Sequence, residues 1–234
     1  MRTLNTINES RATSIPFHES LTISASESDT HEVFTNIYRD DTNIAIWQRK
    51  LPGELALAAD EVLKTGVRVQ IAEAVTVESV HSTLCNALGE SNAVKTLSDD
   101  ITLLVDMFCY LFDLKEVGLR LTALDRPMCP RFHFDRIPCR LVSTYHGIAT
   151  EWLPHQLVDR GKLGAGNQGK SDEQSGLFES TDDIRQLSQG DVALLKGEFW
   201  YNNEGAGLVH RSPVQSQDSI NERRLLLTLD FINN

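Results

Sequence analysis

Length, composition and charge exclude several classes of protein at the outset. The chain has 234 residues, of which 41% are hydrophobic and 24% charged, and this size and balance are typical of one compact globular domain. Its net charge of −11 argues against nucleic-acid binding, which needs clustered lysine and arginine, and no apolar run approaches the roughly 20 residues that span a membrane.

Residues 1–30 are predicted to form a flexible N-terminal arm, because they are rich in serine, threonine, glutamate and asparagine. They contain no long apolar core of the kind that marks a secretory signal. The four cysteines of the chain are scattered and form no CxxC pair, which fits a reducing compartment. We therefore expect a cytoplasmic protein.

Residues 31–115 carry the pattern of a mainly helical support region. The segment PGELALAADEVLKTG opens with Pro52 and closes with Gly66, as helices often do. The segment SDDITLLVDMFCYLFDLKE begins with Ser98 and acidic residues, which suit a helix N-terminus. Its apolar residues occur on nearly every face, so this helix is expected to be buried on several sides.

Residues 116–234 have a different pattern, in which short apolar or alternating runs are separated by turn residues. VGLRLTALD and RFHFD alternate, GDVALLKG is bounded by glycines, and RRLLLTLDF is the last strand candidate. This pattern favours a sandwich or barrel over a parallel sheet. The glycine-rich residues 161–176 are predicted to form a long surface loop. Together the two halves predict an α+β fold in one compact domain.

A candidate metal site lies in the second half. His133 and Asp135 stand two residues apart, and side chains at this spacing on a strand point to the same side. His210, in the strand-like segment GLVHRSP, is the candidate third ligand. Two histidines and a carboxylate on one face of a metal suit non-haem Fe(II), although the same ligands can hold Zn(II). Cys129 and Cys139 flank His-x-Asp and are candidates for a metal or redox role.

The last strand adds a candidate anion-binding residue. In RRLLLT, alternation places Arg224 and Thr228 on one side of the strand and Arg223 on the other. If Arg224 points inward, its guanidinium can grip a carboxylate through two parallel hydrogen bonds, and Thr228 can add a hydroxyl. A register shift of one residue gives this role to Arg223 instead.

The order of these residues resembles that of the Fe(II)/2-oxoglutarate-dependent dioxygenases. The shared features are His-x-Asp, a distant histidine, and an arginine with a threonine four positions on, while GDVALLKG, LVHRSPV and RRLLLTLDF resemble the last strands of their double-stranded β-helix. The resemblance implies a helical N-terminal half packed on a C-terminal double-stranded β-helix of jelly-roll or cupin-like type. It also implies Fe(II) on His133, Asp135 and His210. The far carboxylate of metal-bound 2-oxoglutarate would then lie on Arg224.

Four further residues are candidates for the pocket around the metal. Tyr145 lies an even number of residues after the carboxylate of His-x-Asp and is a candidate hydrogen-bond donor to 2-oxoglutarate. Pro138 interrupts this count, so a half-buried core position is the alternative for Tyr145. Arg140, Trp152 and Trp200 are candidates for the substrate pocket, with core packing as the alternative for the two tryptophans.

A closer resemblance covers most of the chain beyond the N-terminal arm. The segments NIAIWQR, CPRFHFDRIPCRLVSTYHGIATEWLP, GDVALLKGEFW and GLVHRSP are similar to an uncharacterised bacterial family, the domain-of-unknown-function 1826 family. Members of that family tend to be encoded beside genes of zinc homeostasis, such as metal-chaperone GTPases. This resemblance implies Zn(II) as the alternative metal and a metal chaperone as a candidate partner.

Three functions are therefore open. The first is a dioxygenase that hydroxylates an unknown small molecule or protein substrate. The second is a zinc-binding protein of metal homeostasis, in which Arg224 has a structural role. The third is a cupin-like metalloenzyme, such as a hydrolase or isomerase, that does not use 2-oxoglutarate and needs no arginine on the last strand.

Overall fold

Ten strands and four α-helices lie in the part of the chain that the computed structural model describes, which is residues 22–65, 68–214 and 223–232. The strands are β1 Ser24–Ser28, β2 Thr42–Trp47, β3 Gln70–Val75, β4 Val117–Leu124, β5 Cys139–His146, β6 Glu151–Leu153, β7 Arg185–Gln186, β8 Val192–Lys196, β9 Val209–Arg211 and β10 Arg224–Asp230. The helices are α1 Gly53–Lys64, α2 Val77–Leu88, α3 Asn92–Phe112 and the short α4 Asp172–Ser175, and a 3-10 helix spans His31–Tyr38.

Seven strands form the main sheet, in the order β1-β2-β8-β5-β10-β4-β3. The strands β1 and β2 are parallel, and all other neighbours in this sheet are antiparallel. A second, antiparallel sheet has three strands in the order β7-β6-β9. The architecture is therefore mixed α/β, with one large sheet.

Alternation along the central strand β10 separates the two faces of the main sheet. Leu225, Leu227 and Leu229 lie in the apolar core that also contains the buried faces of α1, α2 and α3. Leu226 belongs to a second apolar cluster, which includes Trp152 of the small sheet. The helices thus cover one face of the main sheet, and the small sheet lies against the other.

The ends of the helices follow local capping chemistry. The helix α1 begins directly after Pro52, as predicted, whereas Gly66 lies outside the described residues. The helix α3 begins earlier than predicted, because the hydroxyl of Ser91 caps its first turn and Ser98 is a buried interior residue. It ends at Phe112, and the next residue, Asp113, adopts the left-handed conformation. None of the described helices has the length and apolar character needed to span a membrane.

The mainly helical first half also contributes strands to the main sheet. Residues 31–115 contribute β2 and β3 to the main sheet in addition to three helices, and β1 lies in residues 22–30 of the predicted flexible arm. The sequence pattern misses β3 because only Ile71 and Val75 of this strand are buried, which leaves no clear alternation. Residues 1–21 of the arm lie outside the described residues.

The predicted surface loop also has more structure than expected. Residues 161–176 include parts of two 3-10 turns, Arg160–Lys162 and Gly164–Asn167, and the helix α4. Asp172 and Ser175 of α4 are buried. This connection between β6 and β7 is therefore anchored on the body of the protein.

Candidate metal centre

The structure brings the three predicted metal ligands together. One donor atom from each of His133, Asp135 and His210 lies within 4.8 Å of the other two. His133 and His210 face each other across an isolated antiparallel bridge, in which their backbones exchange hydrogen bonds of 3.0 and 2.9 Å. The backbone pairing thus fixes two distant segments of the chain at the spacing that a shared ion requires.

The ring orientations leave the same nitrogen of each histidine available. Nδ1 of His133 lies 2.9 Å from the carbonyl oxygen of Arg131, and Nδ1 of His210 lies 3.2 Å from that of Leu208. A carbonyl accepts from a protonated Nδ1, so in both rings Nε2, which faces Asp135, is the candidate donor to a metal ion. Burial lowers the pKa of His210 to about 4 against the opposing charge of Asp135, so this imidazole is neutral at neutral pH, as metal binding needs.

Arg140 on β5 holds the carboxylate of the cluster. Its Nη1 donates to Oδ2 of Asp135 at 2.7 Å, and its Nε donates to Oδ1 of Asp230 at 2.7 Å. Asp230 also accepts from Arg120 at 2.6 Å. The second oxygen of Asp135, Oδ1, lies 3.8 Å from Nε2 of His133 and is free to bind an ion. Arg140 also lines the cavity beside the cluster.

A close backbone contact fixes the main chain at Asp135. The N–H of Glu198 donates to the carbonyl oxygen of Asp135 at 2.9 Å, and the N–H of Gly197 donates to that of Pro138 at 2.8 Å. A Cβ at Gly197 would collide with the carbonyl oxygen of Ile137. Glycine is therefore required here by the close approach of two chain segments, one of which carries a ligand.

The carboxylate of Asp172 contacts the residues next to both histidines, a role that the sequence did not predict. Its Oδ1 accepts from Nε of Arg131 at 2.7 Å, and its Oδ2 accepts from the N–H of Phe132 at 2.9 Å. Arg211, the neighbour of His210, is 3.4 Å from the same Oδ2. No local pattern could reveal this role, because the partners lie about 40 residues away in sequence.

His133, His210 and Arg224 line one cavity of about 200 Å³. The cavity lies on the side of the main sheet that faces the small sheet, because residues of β4, β5, β9 and β10 line it. Its walls include His133, His210, Arg224 and the apolar side chains of Val142, Leu195 and Leu226. A metal ion on the cluster would therefore face a pocket that is partly apolar and contains a fixed cation.

Arg224 is a buried cation with incomplete hydrogen bonding. Its side chain is 6% exposed, and its Nη2 donates to the hydroxyls of Thr150 at 2.7 Å and Thr144 at 3.3 Å. Its Nε has no partner, and no carboxylate forms an ion pair with it in the described part of the chain. Burial lowers its pKa to about 10, although the charge of Glu151 opposes this, so the guanidinium is still charged at neutral pH. An anion in the cavity would complete its bonding.

The register of the last strand settles which of the two arginines faces the cavity. Arg224, Leu226 and Thr228 line it together, as alternation predicted. Arg223 points away, and its Nη1 donates to the carbonyl oxygen of Leu63 at 2.6 Å. The hydroxyls that hold Arg224 belong to Thr144 and Thr150 rather than to Thr228.

Tyr145 is not placed where a 2-oxoglutarate ligand would need it. It is fully buried in the core on the helical side of the main sheet, and its hydroxyl donates to Asp100 at 2.6 Å. The even-numbered residues Arg140 and Val142 of β5 face the cavity, so the odd-numbered Tyr145 faces away. Counting in twos from the metal ligand fails because residues 136–138 do not continue the strand.

Of the two tryptophans and two cysteines that are candidates for the site, only one cysteine lines the cavity. Trp152 packs in the apolar cluster between the sheets and Trp200 against the helical core, so neither lines the cavity. Their core packing was the alternative. Cys129 lines the cavity, whereas Cys139 is fully buried on the helical side, where burial raises the pKa of its thiol. Only Cys129 of this pair is close to the candidate site.

Comparison with known proteins supports a shared fold. The dioxygenase for auxin oxidation from rice has a TM-score of 0.50 and 12% identity, over 90% of this chain and 83% of that one. The dioxygenase for auxin oxidation 1 from Arabidopsis thaliana, solved as a complex with 2-oxoglutarate, has a TM-score of 0.53 and 10% identity, over 91% of this chain and 93% of that one. At these identities the likeness shows the fold alone. No sequence among the curated proteins matches the chain.

The family resemblance in the sequence is confirmed independently. The profile of the family described as "Protein of unknown function (DUF1826)" matches residues 28–230. The match begins within β1 and ends at the last residue of β10, so it includes all three candidate metal ligands and Arg224. The chain therefore belongs to the DUF1826 family of proteins.

Proposed function

We propose that this protein is an Fe(II)/2-oxoglutarate-dependent dioxygenase that hydroxylates an unidentified substrate. In this proposal the two facing sheets form a double-stranded β-helix, and the helices of residues 31–115 support it from outside. The observation that carries the proposal is the unpartnered Nε of the buried Arg224, which lies in the same cavity as His133 and His210. The fold shared with two dioxygenases supports it.

The donor set fits Fe(II). An imidazole nitrogen from each histidine and one carboxylate oxygen converge, and each of the three side chains makes a hydrogen bond to a backbone carbonyl oxygen or to Arg140. Three protein ligands on one side of an ion leave its other positions to small molecules. Fe(II) bound there with 2-oxoglutarate would supply the oxidation of an unactivated C–H bond by dioxygen.

The surroundings of Arg224 fit the far carboxylate of 2-oxoglutarate. A guanidinium presents donors in a planar fork that matches a carboxylate, and the free Nε is one of these donors. Thr144 and Thr150 hold the guanidinium in place through Nη2. The apolar Val142, Leu195 and Leu226 exclude water around this contact, which strengthens it.

The alternative functions make less use of this geometry. A zinc-binding protein of metal homeostasis, or a cupin-like enzyme that does not use 2-oxoglutarate, needs the same His133, Asp135 and His210 cluster. Neither needs a buried cation with a free donor in the same cavity. Burying an unpaired charge is destabilising, so its presence favours a function that brings an anion to it.

The test is a titration of metal-free protein under argon, first with Fe(II) and then with 2-oxoglutarate, followed by visible absorption. We expect the weak metal-to-ligand charge-transfer band of the joint complex in the wild type. His210→Ala should abolish the band. Arg224→Ala should raise the Kd for 2-oxoglutarate at least about tenfold, because one charge-assisted contact is lost. The matched control is Arg185→Ala, on the exposed strand β7, which should bind like the wild type.

Zinc binding alone does not discriminate, because the affinity order of divalent metals favours zinc at most nitrogen and oxygen sites. A wild-type protein that gives no band at saturating Fe(II) and 2-oxoglutarate would overturn the proposal. If that protein also bound Zn(II) through His133, Asp135 and His210, the zinc function would replace it. A band that is unchanged in Arg224→Ala would contradict the role given to this arginine.

A further inference from the structure

A second opening lies at one end of the main sheet. Arg68 precedes β3, Arg126 follows β4, and Arg223 precedes β10. Because β3 and β10 both run antiparallel to β4 and pair with it, these three positions meet at the same end of the sheet. They line a cleft of about 530 Å³.

This cleft is basic, although the protein is acidic. Of the described residues that line it, three are arginines and one, Asp125, is acidic, whereas the whole chain has a net charge of −11. Among the described residues, Arg68 and Arg126 form no ion pair. Arg223 donates a hydrogen bond of 2.6 Å to the carbonyl oxygen of Leu63, and its other donors have no partner among the described residues. Like charges gathered in one cleft repel each other, and an anion between them removes that repulsion.

The cleft adjoins the cavity of the candidate metal centre. Thr122 and Met128 line both spaces. Arg223 and Arg224 are consecutive in sequence, yet the first lines the cleft and the second lines the cavity. A molecule whose charged group lies in the cleft can therefore extend past Thr122 and Met128 toward the apolar wall at Leu226, next to the histidines.

We propose that this arginine cleft, formed by Arg68, Arg126 and Arg223, binds a carboxylate or phosphate group of the primary substrate. The substrate is then a small anion with an apolar end, and the apolar end enters the cavity. The identification of this molecule as the substrate rests on the proposed function, whereas the anion site itself does not. The separate position of Arg224 lets 2-oxoglutarate and an anionic substrate bind at the same time.

The test measures anion binding without iron or 2-oxoglutarate. Octanoate, monooctyl phosphate and octanol share one apolar chain and differ in their head group. Isothermal titration of metal-free protein at low salt should show both anions binding at least about tenfold more tightly than octanol. The double variant R68A/R126A should lose this preference and keep its affinity for octanol. The control R185A/K115A removes the same number of positive charges at exposed positions elsewhere and should retain the preference.

The outcomes separate the site from its alternatives. The tighter of the two anions identifies the head group as carboxylate or phosphate. Anions that bind no better than octanol would overturn the arginine cleft as a site. Anion binding that persists in R68A/R126A but is lost in R224A would also overturn it, because the probe would then bind in the cavity. Anion binding that depends on Arg68 and Arg126, in a protein that gives no charge-transfer band, would leave the site in place and overturn the proposed dioxygenase function.

Discussion

At the scale of single residues, Arg224 is the side chain whose environment stability alone does not explain. It is buried, it is charged at neutral pH, and two threonine hydroxyls satisfy only part of its hydrogen-bonding capacity. Burial disfavours the charged form, the charge of Glu151 offsets this only in part, and no described carboxylate forms an ion pair with the guanidinium. A ligand carboxylate is the partner that its planar fork and its free Nε match best.

A methionine in place of Arg224 should separate stability from ligand binding. We expect Arg224→Met to have a free energy of unfolding equal to that of the ligand-free wild type or higher by up to about 3 kcal/mol, because an unpaired buried charge is replaced by an apolar side chain of similar length. In the presence of Fe(II), 2-oxoglutarate should raise the melting temperature of the wild type and not that of the variant. Urea denaturation and thermal scans measure the two effects. A variant that is clearly less stable and still responds to 2-oxoglutarate would contradict this account.

The residues of the site were predictable where a strict local rule applied. Two-residue alternation placed Arg224 and Thr228 on one side of their strand, and both line the cavity. The same rule failed for Tyr145, because the count ran through a turn before β5. Thr150, which lies outside the named strands, gave no sequence signal, although its hydroxyl makes the shortest hydrogen bond to Arg224.

At the scale of elements, the connection between β6 and β7 supports the candidate metal centre. Its helix α4 carries Asp172, whose carboxylate contacts Arg131 and the N–H of Phe132 just before His133. The same carboxylate lies 3.4 Å from Arg211, which follows His210 in β9. One buried acid thus couples the connection to both segments that supply a histidine.

Removing the charge of Asp172 should weaken metal binding. Asp172→Asn removes the ion partner of Arg131 and one of the three carboxylates around Arg211, so we expect the free energy of unfolding to fall by about 3 kcal/mol. Because the histidine segments lose a common anchor, we also expect the Kd for Fe(II) to rise about tenfold. The charge-transfer titration measures the second effect, which a role in stability alone would not produce. Asp182→Asn, at an exposed position of the same connection, is the control. Unchanged Fe(II) affinity in Asp172→Asn would refute this supporting role.

The elements themselves were only partly predictable. The helix α1 and the last strand were both predicted correctly, because α1 buries one continuous apolar face and β10 is a short apolar run that is buried on both sides. The strands β1 and β3 were not predicted, because long-range pairing, rather than their own apolar pattern, holds them in the sheet. The bridge between His133 and His210 is likewise a long-range contact that no local pattern contains.

At the scale of the whole molecule, the candidate metal centre joins parts of the chain that are distant in sequence. His133 lies between β4 and β5, and His210 lies in β9 of the small sheet, whose partner strand β6 has Trp152 opposite this histidine. The ordered set of His-x-Asp, histidine and arginine was readable from the sequence because each member sits on or beside a short strand. The sequence did not predict how the two sheets face each other, because this arrangement depends on how all the strands pair.

Metal binding should therefore stabilise the whole fold rather than one loop. A divalent ion that binds the native state and not the unfolded chain adds about 2.7 kcal/mol at a free concentration one hundred times its Kd. We expect Fe(II) under argon to raise the melting temperature of the wild type and EDTA to reverse the increase. His210→Ala should show no increase, since one of the three donors is missing. 2-Oxoglutarate should add a further increase only when the metal is present, because the ion and Arg224 hold its two ends together. An equal response of His210→Ala to Fe(II) would show that the ion binds elsewhere, and the candidate centre would lose its main support.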